Sequence, residues 1–153
     1  MTYGITFWGT SEAALRSVFV AQKRLVRALA GERYWPTKEP LCASRPLFEL
    51  LNLLPVYSIF LFESCKFVRQ FPHYFKTVGA VHGHATRARD NIYVSAQNMV
   101  LSNSNPYCSM ASLYNSLPGR VKDIKNLKEY VKALKEFVME RKFYCFDDFV
   151  KCI

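Results

Sequence analysis

Apolar residues recur at spacings of three, four and seven near the start of the chain, at Leu15, Val18, Phe19, Val26 and Leu29. That period predicts a helix over residues 12 to 30, with Ser11 as N-cap and Gly31 where a left-handed C-cap would end it. Trp35, Pro36 and Pro40 then mark a connection, and Ser44 ahead of Pro46 predicts a short helix to about Asn52. Pro55 opens a third helix through Ile59, Phe62 and Phe67 to about Gln70, apolar on most sides and so expected at the centre. Residues 71 to 106 hold all three histidines together with Gly79, Gly83, Asn103 and Asn105, and show no long helical period. They read as one long loop with a short extended piece at Asn91 to Val94. Pro106 starts a fourth helix carrying Met110, Leu113 and Tyr114, which stops before Pro118 and Gly119. Asn126 and Glu129 have the spacing of a capping box, and the helix after them places Leu127, Tyr130, Val131, Leu134 and Val138 on one stripe. The aromatic tail, Phe143 to Ile153, is expected to dock back. The pattern predicts an all-α fold: a single small bundle of five or six helices with one long irregular loop at about 71–106.

Composition supports a packed chain. Half of the 153 residues are hydrophobic and 15% are aromatic, more apolar area than a disordered chain carries. The longest apolar run, Leu50 to Phe62, contains Pro55 and is too short to span a bilayer, so no membrane segment is expected. The five cysteines, Cys42, Cys65, Cys108, Cys145 and Cys152, are odd in number and include no Cys-x-x-Cys pair. That usage points to a reduced intracellular compartment, nuclear or cytoplasmic, rather than to a disulfide framework.

Charge changes the picture more. Lys and Arg number 21 against 12 Asp and Glu, a formal net charge of +9 with a pI near 9.4. Such a field draws polyanions: nucleic acid first, anionic membrane surfaces or acidic proteins by the same physics. On the first helix Arg16, Lys23 and Arg27 fall in one line with Arg24 beside them, and Glu12 is the nearby acid. Arg87 and Arg89 stand with Thr86 in the long loop, a grouping suited to phosphate oxygens. On the last long helix Lys128, Lys132 and Lys135 continue from Lys125 opposite the apolar stripe, with Arg141 and Lys142 extending the ridge. Glu129, Glu136 and Glu140 sit among them, so this ridge reads first as an ordinary solvated face and only second as a row of phosphate contacts.

Other chemistry is poorly supplied. His82 and His84, one residue apart, have no Cys or carboxylate at a zinc-site spacing, and none of the cysteines has the neighbourhood of a nucleophile. Asp147 and Asp148 look like the paired aspartates of polymerases, but two-metal phosphoryl transfer needs a third carboxylate and a palm sheet to hold it. The pair reads better as the cap of a terminal helical turn.

Several short stretches occur in a familiar order. They are Tyr3-Gly4-Ile5 with Phe7-Trp8-Gly9, then Gln22-Lys23-Arg24 with Arg27, then Ser44-Arg45-Pro46-Leu47-Phe48 and Leu53-Leu54-Pro55-Val56. His82 with Thr86-Arg87, Leu113-Tyr114-Asn115-Ser116-Leu117-Pro118, Phe143-Tyr144 and Asp148-Phe149 follow. Together they resemble the C-terminal region of jockey-like non-LTR retrotransposon reverse transcriptases, which are RNA-directed DNA polymerases, over nearly the whole chain. Two details depart from the family: Cys42 lies three residues before Arg45 instead of directly before the Arg-Pro pair, and Gly83-His84-Ala85 replaces a more typical Ser-Tyr-Asn.

The resemblance implies the end of a thumb over residues 1–35 and a C-terminal helical extension over 36–153. It implies a fragment of a longer reading frame, because Met1 falls where family members have internal sequence. The family's catalytic aspartates lie upstream, so no catalytic residue carries over and no cofactor is expected; magnesium would belong to the missing palm. The implied partners are RNA or RNA–DNA duplex and the remainder of the polyprotein, with Arg16, Lys23, Arg24, Arg27, Arg87, Arg89, Lys128, Lys132 and Lys135 as phosphate contacts. The competing expectation is a structural module that docks on the polymerase core through apolar surface around Tyr3, Phe7 and Trp8.

Overall fold

The computed structural model describes residues 2–34, 44–82, 87–94 and 105–150. The expected positions Trp35, Pro36, Pro40, Cys42, Gly83, His84, Thr86, Asn103 and Cys152 lie outside the described residues. The elements are α1 (Ile5–Trp8), α2 (Glu12–Tyr34), α3 (Arg45–Leu50), α4 (Val56–Gln70), a 3-10 turn (Pro72–Tyr74), α5 (Val78–His82), α6 (Pro106–Asn115), α7 (Gly119–Lys122), α8 (Leu127–Arg141) and α9 (Phe146–Val150). The fold is all-α, built on α2, α3, α4, α6 and α8.

Helix α4 is the axle. Val56, Tyr57, Phe60, Leu61, Cys65 and Val68 are buried on more than one of its sides, as a helix apolar on most sides requires. Its first half packs Val56, Tyr57 and Phe60 against Ile5 of α1 and Leu15 of α2. Its middle packs Leu61 and Cys65 against Tyr130, Leu134, Phe137 and Val138 of α8. Its end packs Val68 against Ile92 and the Met110–Ala111 pair of α6. The Tyr130 hydroxyl donates to the Cys65 carbonyl at 3.2 Å, and the Ser58 hydroxyl donates to Phe143 O at 3.2 Å. The aromatic tail thus closes the same core, with Phe143 and Phe149 buried.

Capping follows the sequence in part. Ser11 Oγ accepts the Ala14 amide at 3.4 Å, Asn105 Oδ1 that of Tyr107 at 3.0 Å, and Asn126 Oδ1 that of Lys128 at 2.9 Å. Asn126 therefore caps one residue earlier than a capping box would, and Ser44 makes no side-chain cap. At Gly31, where the spacing ends the helix, the backbone leaves helical geometry, and α2 joins two helical segments across that kink. Gly31 takes φ 64° and ψ −176°, a conformation other residues essentially do not adopt, and the helix resumes to Tyr34. Two stripe positions also move. Leu29 is exposed because the smaller Ala30 fills the space against Leu47 and Phe48. Leu127 is exposed at the first helical position, while Phe137, seven residues after Tyr130, completes the buried face of α8.

The long irregular loop needs the largest correction. Where described, residues 71–94 fold as the 3-10 turn, the single turn α5 and an antiparallel bridge between Thr77 and Ile92. The Tyr93 amide donates to Lys76 O at 2.7 Å and the Val78 amide to Asn91 O at 2.8 Å, so the extended piece at 91–94 exists but is paired. Asn115 brackets it from α6: its Oδ1 accepts the Ile92 amide at 2.9 Å and its Nδ2 donates to Ile92 O at 2.7 Å. A bracket held from a helix more than twenty positions away leaves no local period.

Close packing at Gly9 gives a direct test. A Cβ there would sit 2.4 Å from the Phe60 ring and 2.4 Å from the Ile5 carbonyl oxygen, and the latter is backbone. Gly9→Ala is expected to destabilise by about 1–3 kcal/mol through overpacking. Denaturant unfolding checks this, and an unchanged midpoint would refute the close approach of α1 to α4.

Candidate nucleic-acid interface

The cations singled out above fall into three separate places. The first is a corner where α2, α3 and the C-terminal tail meet around aromatic rings. Phe19 stacks on Phe48 at 6.1 Å and meets Tyr57 at 5.5 Å and Tyr144 at 6.0 Å, while Tyr57 meets Phe146 at 5.4 Å. Lys23 stands with its Nζ 4.8 Å over the Phe19 ring, its stem half-buried and its charge held at the surface. Arg16 and Arg24 are exposed on α2, and Arg27 is half-buried and engaged within the molecule.

The sequence pattern did not pick out Arg45. Its guanidinium lies 4.5 Å over the Tyr144 ring and donates to Asp148 Oδ2 at 3.1 Å. Asp148 also accepts the Tyr144 amide at 3.1 Å, so this aspartate does fasten the terminal turn, as expected of the pair. Lys142 departs from the ridge assigned to it. It ends α8 at φ 45°, and its Nζ donates to Phe48 O at 3.3 Å. The only hint of Arg45 was the Arg-Pro pair opening α3, because its partner lies 103 positions away.

Electrostatics in this corner are those of a partly dry site in which carboxylates and arginines oppose one another at the same rings. Burial pushes the Tyr144 hydroxyl up to about 12, Glu49 adds to the rise, and Arg45 opposes it. Tyr57 is raised by burial and by Glu12, with Arg16 opposing. Arg16 thus acts on Tyr57 and Arg45 on Tyr144, the two tyrosines whose rings meet Phe19. Among the described side chains the carboxylates of the corner are Glu12, Glu49 and Asp148, and Asp148 is already paired.

The second place is the turn 87–90, where Arg87 and Arg89 are both exposed. Arg89 O accepts the Gly79 amide at 3.0 Å, and the Arg89 side chain lies across Gly79, where an added Cβ would meet its Cγ at 2.5 Å. The turn is thereby tied to α5 at the C-terminal end of α4, whereas the α2 corner is at the N-terminal end. At 1.5 Å per residue the two ends of α4 are about 20 Å apart. The third place is the outer face of α8, where Lys128, Lys132 and Lys135 are exposed, with Glu129, Glu136 and Glu140 along the neighbouring stripe. Arg120 pairs with Glu140 at 3.9 Å, both largely exposed, a contact worth little in water.

Among the described residues no group of three or more His, Cys, Asp or Glu side chains is placed to hold a metal ion. No described helix is long and apolar enough to cross a membrane. Cys65 is fully buried and its thiol is pushed well above the usual range by burial, the behaviour of a small core hydrophobe. Compared with protein-family models, curated proteins and solved structures, the chain matches none.

Proposed function

We propose that this chain is the C-terminal, non-catalytic part of a jockey-like non-LTR retrotransposon reverse transcriptase, and that it serves as an accessory module holding RNA or RNA–DNA primer-template by its phosphate backbone. The observation that carries the reading is the α2 corner. Arg16, Lys23 and Arg24 line one helix beside an aromatic cluster, a combination suited to sugar-phosphate contact. The ordered resemblance supports it independently, since Lys23, Arg24, Arg45 and Tyr144 all come from the stretches that carry that resemblance.

Binding to a single-stranded RNA and to an RNA–DNA hybrid, followed across a salt series, tests the proposal. With three or four phosphates neutralised, the logarithm of affinity for single strands should fall against the logarithm of salt with a slope of about −2 to −3. Absence of binding at low salt, or an affinity indifferent to salt, would end the proposal.

A second reading has its own support. Tyr3 is 98% exposed and Phe7 51%, and Leu25 and Leu29 are exposed together on α2. Apolar surface of that kind fits a module that docks on a polymerase core without touching nucleic acid. Self-association relieved by Tyr3→Ser with Phe7→Ser, combined with no RNA binding, is the outcome that would favour it.

A further inference from the structure

At the other end of α4 lies a set of rings, apart from the basic corner, of which Phe67 packs on the core and carries the others. Phe67 is their base. Tyr74 lies nearly parallel to it, at 6.3 Å and 12°, while Phe71 meets it at 4.9 Å and Tyr107 at 6.5 Å. Tyr74 and Tyr107 adjoin each other at 6.0 Å, and His73 packs on Tyr74 at 4.2 Å. The buried cluster at this end is Val68, Ile92, Met110 and Ala111, so the tyrosines are not needed to fill it. Tyr74 remains 57% exposed and Tyr107 38%, and neither hydroxyl is bonded among the described residues. A hollow of about 230 Å³ beside them is lined by Tyr74, Phe75, Lys76, Tyr93, Tyr107 and Cys108.

We propose that Tyr74 and Tyr107 form a stacking platform for unpaired bases of single-stranded RNA, with Lys76 and the arginines of the 87–90 turn meeting the backbone on either side. Four observations converge on that ligand. Tyr74 and Tyr107 are both partly exposed rings, and an accessible aromatic surface attracts any nucleobase, since every base has a π-face. Among the described residues, Lys76 is the one charged residue lining the hollow. The Arg87 and Arg89 turn is paired back onto residues 76–79 through the Tyr93–Lys76 and Gly79–Arg89 hydrogen bonds, which places cations on the same segment. Asp90, the one carboxylate among the described residues of 71–94, lines a different hollow together with Arg69.

The rings are also held in advance. Tyr74 sits in the Pro72 3-10 turn, and Tyr107 is the second residue of a helix capped by Asn105, so little freedom is lost on binding. Duplexes keep their base faces stacked inside, which commits the platform to a single strand.

This inference rests on the nucleic-acid reading above but concerns a different surface and a different part of the ligand. The test compares a labelled 12-nucleotide RNA with an abasic ribose-phosphate strand of equal length and charge, on the full chain at 100 mM salt. The RNA should bind about tenfold tighter than the abasic strand. Tyr74→Ala combined with Tyr107→Ala should erase that difference while leaving the salt slope unchanged. Tyr74→Phe with Tyr107→Phe, which keeps the rings, should retain it.

Equal affinity for both strands in the parent protein, or a preference that survives the double alanine variant, overturns the platform. Salt-dependent binding without base preference leaves the phosphate-contact proposal standing and removes this one. Base-dependent binding that ignores charge reversal on α2 does the reverse. Were the rings a protein-docking surface, the double alanine variant would abolish self-association and leave the strand comparison flat, which also refutes the proposal.

Discussion

Replacing Gln22 with alanine is expected to lower stability by about 2–4 kcal/mol. Gln22 is almost fully buried on α2, and its amide works at both ends. Its Nε2 donates to Leu54 O at 2.8 Å, and its Oε1 accepts the Val56 amide at 2.9 Å. Between those groups stands Pro55, which has no N–H, so the backbone entering α4 has few other ways to satisfy itself. Truncation would leave a donor and an acceptor without partners, each costing about 1–3 kcal/mol where water does not replace the amide. For a chain of this length the loss corresponds to a drop in Tm of about 5–15 °C. Thermal unfolding of Gln22→Ala beside Ser17→Ala, an exposed control on the same helix, measures it. A loss under about 0.5 kcal/mol would show that the bracket contributes nothing to joining α2 and α4.

Gln22 also illustrates what the sequence could and could not yield. Long periodic segments were legible: α2, α4 and α8 begin and run where their apolar spacing places them, because α2 and α8 each bury a face against α4 and α4 is buried on several sides. Prolines and asparagines marked the starts of α3, α4, α6 and α8 for local steric and capping reasons. Gln22 and Asn115 were invisible as brackets. Each satisfies backbone groups far along the chain, Gln22 at Leu54 and Val56 and Asn115 at Ile92, and nothing in a local pattern encodes such a partner. The segment 71–94 was misjudged for the same reason: its order comes from the Thr77–Ile92 pairing and from Asn115, not from its own period.

The basic residues were legible as charges and not as places. The nine cations expected as phosphate contacts separate into an aromatic corner, a turn at the far end of α4 and a mixed-charge outer face on α8. Arg45 and Lys142 join the corner only because the tail folds back across α3. Both are partly committed there, Arg45 to Asp148 and Lys142 to the Phe48 carbonyl, so they position rings as much as they offer charge. Arg16, Lys23 and Arg24 carry no such ion pair among the described residues, which makes them the better measure of the field.

Reversing those three charges together, Arg16→Glu, Lys23→Glu and Arg24→Glu, is therefore expected to have the largest effect on binding. Each phosphate contact contributes a salt slope of about −0.7 on a single strand, so losing three at 50 mM salt corresponds to an affinity loss on the order of a few hundredfold. The slope itself should flatten by about two units. Stability should change little, since Arg16 and Arg24 are exposed and Lys23 contributes to the fold through one contact over Phe19. The matching reversal of Lys128, Lys132 and Lys135 is the comparison that locates the effect, because Glu129, Glu136 and Glu140 already temper the field along α8. It should weaken binding only a few-fold, as a distant surface charge does at that ionic strength. Fluorescence anisotropy on both variants, with circular dichroism to confirm folding, separates the outcomes. Were the α8 variant to lose as much affinity as the α2 variant, binding would be a response to net charge alone, and the corner built by Phe19, Tyr57 and Tyr144 would have no part in it.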